Sequence, residues 1–217
     1  KDGGRTVLIS GCIDTQKVHI SSAIASGYKY MLIVTSDEAK ARKMCDDASF
    51  FNKEAIYYPA KDAIFYSADV HGNQITGERL RCISRIINHS STGEGVLTVV
   101  TTMDGIADRL IPVERFKEAV ITLDYSSEIE PEKLAKKLVA MGFVRTGMVE
   151  DKGQFAIRGG IIDIFSYTDE APVRIELWDT EVDSIRMFDV ESQRSIERLQ
   201  SYSIFPATEY IFTEDEL

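Results

Sequence analysis

Residues 6–35, TVLISGCIDTQKVHISSAIASGYKYMLIVT, contain two short apolar segments with a segment of helical character between them. Thr6–Ser10 and Lys29–Thr35 are rich in aliphatic and β-branched residues, and this composition predicts two buried strands. Residues 15–26 predict a helix that ends at Gly27. A strand, a helix and a second strand in this short span indicate a right-handed βαβ unit and a parallel sheet.

The same alternation continues to about residue 115, and then the pattern changes to short strands and tight turns. The further predicted elements are a helix that is capped by Ser36 or Asp37 and runs to Phe51, strand Ala55–Tyr58, a helix over 77–88, strand Val96–Thr102, strand Phe116–Leu123 and helix Glu130–Met141. We predict an α/β fold with three segments: a mostly parallel sheet domain at 1–115, an inserted small α+β domain with β-hairpins at 116–198, and a return of the chain to the first domain at 199–217.

The composition excludes several classes of protein. The net charge is −10, so the chain lacks the basic footprint of a nucleic-acid-binding protein. No apolar run approaches the roughly 20 residues of a membrane helix, and the first residues, KDGGRT, do not form a signal peptide. The three cysteines form no CxxC pair, which favours reduced thiols over zinc or disulfides. We therefore expect a cytoplasmic protein without a metal site or a membrane segment.

The segment GCIDTQKV, which begins at Gly11, occupies the position of a phosphate-binding loop between the first predicted strand and helix. Gly11 and Lys17 have the spacing of the motif G-x-x-x-x-G-K-[ST]. Gln16 replaces the second glycine, Val18 replaces the hydroxyl that binds Mg²⁺, and Asp14 adds a negative charge where phosphates would lie. These departures predict a degenerate loop that does not bind ATP, and the alternative is a nucleotide site that still uses Lys17.

The segment RTGMVEDKGQFAIRGGIIDIF, which begins at Arg145, contains two arginines that a hairpin would bring together. If the turn lies at Glu150–Gly153, strand pairing places Arg145 opposite Arg158 on one flat face. Like charges that are directly opposed destabilise a sheet by up to about 1 kcal/mol. Two interpretations remain open: the pair is a docking patch for the carboxylates of a partner, or a nearby acid such as Asp163 or Glu176 neutralises it.

The segment RIELWD (174–179) alternates between charged and apolar side chains, which predicts a half-buried strand. Ile175 and Leu177 are expected to face the core, and Trp178 is expected to lie on the opposite face. Trp178 is either an anchor for a protein interface or part of the packing between strands.

Three segments resemble the N-terminal module of bacterial transcription-repair coupling factors, a module that is related to the excision-repair helicase subunit UvrB. The segments are YYPAKDAIFYSADVHGNQITGERL (57–80), GQFAIRGGIIDIF (153–165) and APVRIELWDTEVDSIRMFDVESQRSIERL (171–199). The resemblance extends over most of the chain, and its core, G-x-F-x-x-R-G-G-x-x-D-I-F, is specific. It implies a RecA-like first domain of the P-loop type with a degenerate nucleotide loop.

The resemblance also implies a partner. In this family the inserted domain binds the repair protein UvrA in the way that UvrB does, and the contact positions correspond to Arg145, Arg158 and, less closely, Phe165. The chain departs from the UvrB motif at Ala156, where UvrB has an arginine, and this difference puts the strength of the contact in doubt. The resemblance further implies that other domains of the same full-length protein mask the patch until RNA polymerase is engaged.

A full-length coupling factor, according to the same resemblance, is an ATP-driven DNA translocase that removes stalled RNA polymerase. The motor domains that use ATP and magnesium, and the domains that bind polymerase and DNA, have no counterpart in this sequence. We therefore expect a protein-interaction module without a cofactor or enzymatic activity of its own. The alternative is a UvrB-like helicase fragment that binds ATP and damaged DNA. Against that alternative, only 18 residues separate Pro59 from Glu78, where UvrB has a long aromatic hairpin.

Overall fold

The computed structural model describes residues 6–61, 70–93, 95–108, 110 and 112–211. Within these residues the chain forms two compact units. The first unit is drawn from residues 1–61 and 88–108, and the second from residues 62–87 and 109–217. The boundaries expected at 115/116 and 198/199 stay predictions, and the units divide the chain at other positions. Part of the segment between Pro59 and Glu78 lies outside the described residues.

The helices are α1 (Asp14–Ala25), α2 (Glu38–Phe51), α3 (Val70–Thr92), α4 (Met103–Ala107), α5 (Val113–Ala119) and α6 (Pro131–Ala140). The strands are β1 (Tyr30–Thr35), β2 (Ala55–Tyr58), β3 (Leu97–Thr102), β4 (Ile121–Asp124), β5 (Val144–Arg145), β6 (Gln154–Arg158), β7 (Ile161–Phe165), β8 (Val173–Trp178), β9 (Glu181–Phe188), β10 (Ser195–Arg198) and β11 (Ser201–Ile204). None of the helices in the described ranges is long and apolar enough to cross a membrane.

The first unit is built on a parallel sheet of three strands in the order β1–β3–β2. The central strand β3 is almost entirely buried, as its aliphatic and β-branched composition requires. Helices α1 and α2 pack on one face of the sheet through small and aliphatic side chains: Val18, Ala41, Met44, Ala48 and Val100. Asp37 caps α2, because its side chain accepts the backbone N–H of Lys40 at 2.9 Å. The α/β class is confirmed, and a RecA-like relationship stays a prediction.

The strand predicted at Thr6–Ser10 is wrong. These residues are exposed, and Leu8 is the most exposed of them. An aliphatic segment forms a strand only when a neighbouring strand supplies its backbone hydrogen bonds. None of the described strands pairs with this segment.

The second unit contains a six-stranded sheet in the order β10–β9–β8–β7–β6–β5. Neighbouring strands are antiparallel, except that β5 and β6 run parallel. Helix α6 covers one face of this sheet, here called the inner face, and buries Leu134 and Leu138 against Ile162, Ile164 and Ile175. Strands β4 and β11 form a separate antiparallel pair, and both contribute to the same core.

The strand predicted at Phe116–Leu123 is only partly correct. Val113–Ala119 forms α5, and the strand β4 begins at Ile121. The segment VERFKEA is rich in helix formers, and Phe116 is its buried residue. A single buried aromatic side chain fits one turn of helix as well as a strand, so the apolar pattern did not distinguish the two.

The chain does turn at the predicted position, around residues 151–153, but the strands on either side of this turn pair in parallel. The hairpin turn lies instead at Gly159 and Gly160. β6 passes through this turn into β7, and Arg158 pairs with Ile161. Gly159 has a φ of +61°, a left-handed conformation that glycine adopts without strain. A side chain at Gly160 would meet the carbonyl oxygen of Leu177 at 2.9 Å. Both glycines are therefore required by the backbone of this turn.

The pairing predicted between Arg145 and Arg158 is consequently wrong. β5 is the parallel neighbour of β6, and Arg145 pairs with Phe155. Phe155 belongs to the core on the inner face, and paired residues of adjacent strands project to the same face. Arg158, three positions further along β6, projects to the opposite face. The two arginines therefore do not form one patch of opposed side chains.

Candidate protein-interaction site

The second face of the six-stranded sheet, here called the outer face, consists of the side chains that alternate with the core residues. It carries charged, aromatic and small residues: Ala156, Arg158, Asp163, Phe165, Arg174, Glu176, Trp178, Ser184 and Arg186. Two of the three residues that the sequence predicts as contacts, Arg158 and Phe165, lie on this face.

Asp163 is the centre of a polar network on the outer face. Its side chain is 1% exposed. Arg174 donates Nε to its Oδ1 at 2.7 Å and Nη2 to its Oδ2 at 2.9 Å, and Arg158 donates Nη2 to Oδ2 at 2.6 Å. Arg174 also donates to Oε1 of Gln193 at 2.8 Å. The buried carboxylate thus accepts charge-assisted bonds from two arginines, which compensates the cost of removing it from water.

The two arginines of this network differ in their access to solvent. The Arg174 side chain is 12% exposed, and its guanidinium lies over the ring of Phe188 at 4.2 Å. Its hydrogen bonds with Asp163 raise the pKa of Arg174 above its usual value. The Arg158 side chain is 43% exposed and is held by Asp163 through one nitrogen. Arg158 therefore combines a fixed position with a guanidinium face that a partner can reach.

Arg145 has a different environment, at the edge strand β5. Its guanidinium donates to both carboxylate oxygens of Glu132 on α6, at 3.0 and 3.2 Å. The bond with Arg145 lowers the pKa of Glu132 below its usual value. The Arg145 side chain is 46% exposed and that of Glu132 is 72% exposed, and exposed ion pairs contribute little to stability. A carboxylate of a partner could therefore replace Glu132 as the acceptor for this guanidinium with little loss of stability.

Both arginines therefore have acids of the same chain as partners. The interpretation in which a nearby acid neutralises a charge is confirmed for Arg158, whose acid is Asp163. The acid that pairs with Arg145 is Glu132, a contact that was not predicted from the sequence. Because the two arginines lie on opposite faces, the hypothesis of a guanidinium pair without internal acids is wrong.

Phe165 is only 8% exposed. Its ring packs with Val149 and Ala156 in a small apolar cluster on the outer face. The ammonium group of Lys152 lies 5.2 Å from the centre of the ring, and burial lowers the pKa of Lys152. Ala156 is 1% exposed within this cluster. Phe165 stays a predicted contact residue, and its position indicates a role in supporting the face.

Trp178 lies at the end of β8, and its side chain is exposed. The strand-packing interpretation of this residue is therefore wrong. Next to it, Glu176 accepts hydrogen bonds from Arg186 and from the hydroxyl of Ser184. Arg174 and Arg186 are directly paired across β8 and β9. Arg174 and Arg186 were not among the predicted site residues, although their alternation with apolar residues in sequence is compatible with a position beside Asp163.

The phosphate-loop candidate lies in the first unit, where α1 begins. Lys17 donates its ammonium group to Oδ1 of Asp14 at 2.9 Å, and this bond lowers the pKa of Asp14. The Gln16 side chain accepts a backbone N–H of the loop at 3.2 Å. Val18 is fully buried in the core, and Gly11 has a φ of +80°. The Lys17 ammonium and the backbone N–H of Ile13 are thus engaged by side chains of the loop itself.

Residues 121–210 match the family model described as the UvrB interaction domain. This range contains all strands of the six-stranded sheet, including the positions of Arg158 and Asp163. The matched range lies within the second unit.

The chain as a whole is similar to transcription-repair coupling factors. It is 38% identical over 99% of its length to the transcription-repair-coupling factor of Bacillus subtilis strain 168. It is 35% identical over 98% of its length to those of Staphylococcus haemolyticus and of Staphylococcus aureus strain Mu50. The chain spans 18% of the length of each of these relatives. The family resemblance predicted from the sequence is confirmed.

Proposed function

We propose that this chain is the UvrA-binding module of a transcription-repair coupling factor, and that it brings nucleotide excision repair to lesions where RNA polymerase is stalled. The observation that carries this proposal is the match of residues 121–210 to the UvrB interaction domain. The similarity to coupling factors over nearly the whole chain supports the connection with transcription.

The geometry of Arg158 supports a role in binding an acidic partner. A rigid sheet holds the residue, and Asp163 fixes one nitrogen of its guanidinium. Preorganised side chains lose less conformational entropy when a complex forms. An arginine guanidinium that remains partly exposed can donate strong, directional hydrogen bonds to a second carboxylate. We therefore assign the central contact with UvrA to Arg158.

Arg145 and Phe165 have secondary roles in this proposal. Arg145 lies at the edge of the sheet. A partner that extends around this edge could replace Glu132 as the ion-pair partner of Arg145. Phe165 supports the outer face from within. Other domains of the full-length protein cover this surface until polymerase is engaged. RNA polymerase and DNA are bound by domains that this chain does not contain.

We also propose that the chain has no catalytic activity and binds no cofactor. The loop at Gly11 uses Lys17 and Gln16 for contacts with its own atoms. ATP and magnesium belong to the motor domains of the full-length factor, which acts in the cytoplasm. Isothermal titration of purified UvrA into this chain tests the central proposal, and a saturable one-to-one complex is the expected result. Absence of binding at physiological salt would overturn it.

Arg158→Ala and Arg145→Ala are each expected to weaken UvrA binding by about 1–3 kcal/mol, because each removes a charge-assisted contact. Isothermal titration measures the loss, and thermal unfolding shows that the variants remain folded. Arg198→Ala, four strands away from β6 in the same sheet, is the matched control and is expected to bind like the wild type. Wild-type affinity in both variants, at equal thermal stability, would contradict the assignment.

ATP is expected to show no saturable binding to this chain in the micromolar range, because Asp14 and Gln16 occupy the loop. Titration with a fluorescent ATP analogue in the presence of magnesium measures this. Lys17→Ala is the matched control: a signal that persists in this variant does not come from the loop. Saturable binding that Lys17→Ala abolishes would favour the helicase-fragment alternative.

A further inference from the structure

We propose that Trp178 is an apolar anchor of the same interface, and that with Arg158 it forms a two-point contact on the outer face. This inference rests on the proposed function, because the partner is UvrA. It adds a residue that neither the sequence motif nor the domain match assigns to the contact. The partner surface that fits has a carboxylate opposite Arg158 and, beside it, an apolar depression that receives the indole.

The location of Trp178 places it next to the candidate site. Ile161, at the start of β7, pairs with Arg158 on one side and with Glu176 on the other. Leu177 donates its backbone N–H to the carbonyl oxygen of Gly160 at 2.8 Å. Trp178 therefore lies beside the Gly159–Gly160 turn, two strands from Arg158. Two strand spacings and an offset of two residues along β8 separate their backbones by about 12 Å, so both side chains fit within one contact.

The exposure of Trp178 is unusual for a residue of its size. Its side chain is 80% exposed, although its neighbour Leu177 packs against the core. Tryptophan and arginine are the residues that most often dominate the binding energy of protein interfaces. Because the exposed indole of Trp178 contributes little to the core of the second unit, it is a candidate for burial by a partner.

The backbone that carries Trp178 is held by strand pairing and a tight turn. Trp178 pairs with Glu181 across a tight turn at Asp179 and Thr180, and Asp179 adopts a φ of 58°. Aspartate tolerates this left-handed conformation better than most residues. An indole on such a turn has only its own side-chain torsions to fix on binding, which keeps the entropic cost small.

The charges around Trp178 define the complementary surface. Arg158 lies two strands away on the β7 side of Trp178, and the acid Glu181 pairs with Trp178 on the opposite side, on β9. A partner must therefore have an acid at one end of the contact and a base at the other. The base could also lie over the indole, where a cation is attracted by the ring face. This polarity would fix the orientation of the partner on the sheet.

The test compares six versions of the chain in isothermal titration with UvrA: the wild type, Trp178→Ala, Trp178→Phe, Ile196→Ala, Arg158→Ala, and the double variant of Arg158→Ala with Trp178→Ala. Trp178→Ala is expected to weaken binding at least tenfold, and Trp178→Phe, which keeps an aromatic ring, is expected to recover part of the loss. Ile196→Ala removes an exposed apolar side chain from the opposite edge strand and is expected to bind within twofold of the wild type. In combination with Arg158→Ala, the loss from Trp178→Ala is expected to be smaller than in the wild type, since the contact is shared.

A second measurement uses the fact that Trp178 is the only tryptophan of the chain. Replacing it biosynthetically with 5-hydroxytryptophan allows excitation apart from the tryptophans of UvrA. Quenching by acrylamide is expected to be strong in the free chain and to fall when UvrA is added. Quenching that is unchanged in the complex would overturn the inference, as would wild-type affinity of Trp178→Ala.

The outcomes separate this inference from the proposed function. If the wild-type chain binds UvrA and only Arg158→Ala weakens the complex, the proposed function stands and the anchor role of Trp178 is refuted. If the wild-type chain does not bind UvrA, both are refuted. The alternative partner for this surface is a second copy of the chain, and analytical ultracentrifugation of the free chain tests for it. A dimer that dissociates in the Trp178→Ala variant would also overturn the inference.

Discussion

Replacing Asp163 by asparagine is expected to lower the free energy of unfolding of the second unit by about 3 kcal/mol. The substitution preserves the size of the side chain and removes its charge. Arg174, which is largely buried, then loses its ionic partner, and removal of one member of a buried ion pair costs about 3–5 kcal/mol. The lower end of this range applies because Arg158 can turn into water. Urea denaturation followed by circular dichroism measures the change.

Asp183→Asn is the matched control for this experiment. Asp183 is an exposed aspartate at the irregularity of strand β9 in the same sheet, and its substitution is expected to change stability by less than about 0.5 kcal/mol. The two variants carry the same chemical change and the same change in net charge. Equal urea midpoints for both would show that the Asp163 network does not stabilise the sheet.

The elements of the first unit were predictable because their signals are local. Lys29–Thr35 and Val96–Thr102 are apolar, β-branched segments, and Asp37 is followed by helix formers, so strand and cap are visible without knowledge of the rest of the chain. Thr6–Ser10 has the same composition as these strands. Its assignment failed because strand formation depends on a neighbour, and composition does not reveal whether a neighbour is there.

The register around Arg145 and Arg158 could not be derived from alternation alone. Two turn signals compete in this segment, Asp-Lys-Gly at 151–153 and Gly-Gly at 159–160, and alternation of side chains is compatible with either. A two-residue Gly-Gly turn between two β-rich segments is the stronger hairpin signal. A hairpin turn at Gly159–Gly160 pairs Arg158 with Ile161 and places Asp163 on the same face as Arg158. The parallel pairing of β5 has no such local signal.

The candidate site was therefore only partly predictable. The family resemblance indicated Arg158 as a contact residue, and the short distance in sequence between Asp163 and Arg158 suggested that Asp163 neutralises it. The contact between Arg145 and Glu132 joins a strand to a helix, and the exposure of Trp178 depends on where β8 ends. Such properties follow from the packing of whole elements. The ion pair between Arg79 and Glu209 is the extreme case, because 130 positions separate its partners.

Replacing Glu209 by glutamine is expected to lower the free energy of unfolding by about 3–5 kcal/mol, the largest loss among these variants. Arg79 on α3 has an exposure of 0%, and Glu209 of 6%. Arg79 donates Nε to Oε1 at 2.5 Å and Nη2 to Oε2 at 3.1 Å. Without the carboxylate, a buried guanidinium loses the bidentate partner that compensates its desolvation. Urea denaturation measures the loss, with the exposed Glu197→Gln on β10 as the control.

The double variant Arg79→Met with Glu209→Leu separates the two explanations for such a loss. If the ion pair itself supplies the stability, the double variant is as unstable as Glu209→Gln. If the cost arises from the unpaired charge, replacing both partners by apolar side chains of similar volume restores most of the stability. We expect the second result, since desolvation offsets most of the attraction in buried pairs. A double variant with the same urea midpoint as Glu209→Gln would show that the bidentate ion pair stabilises this unit directly.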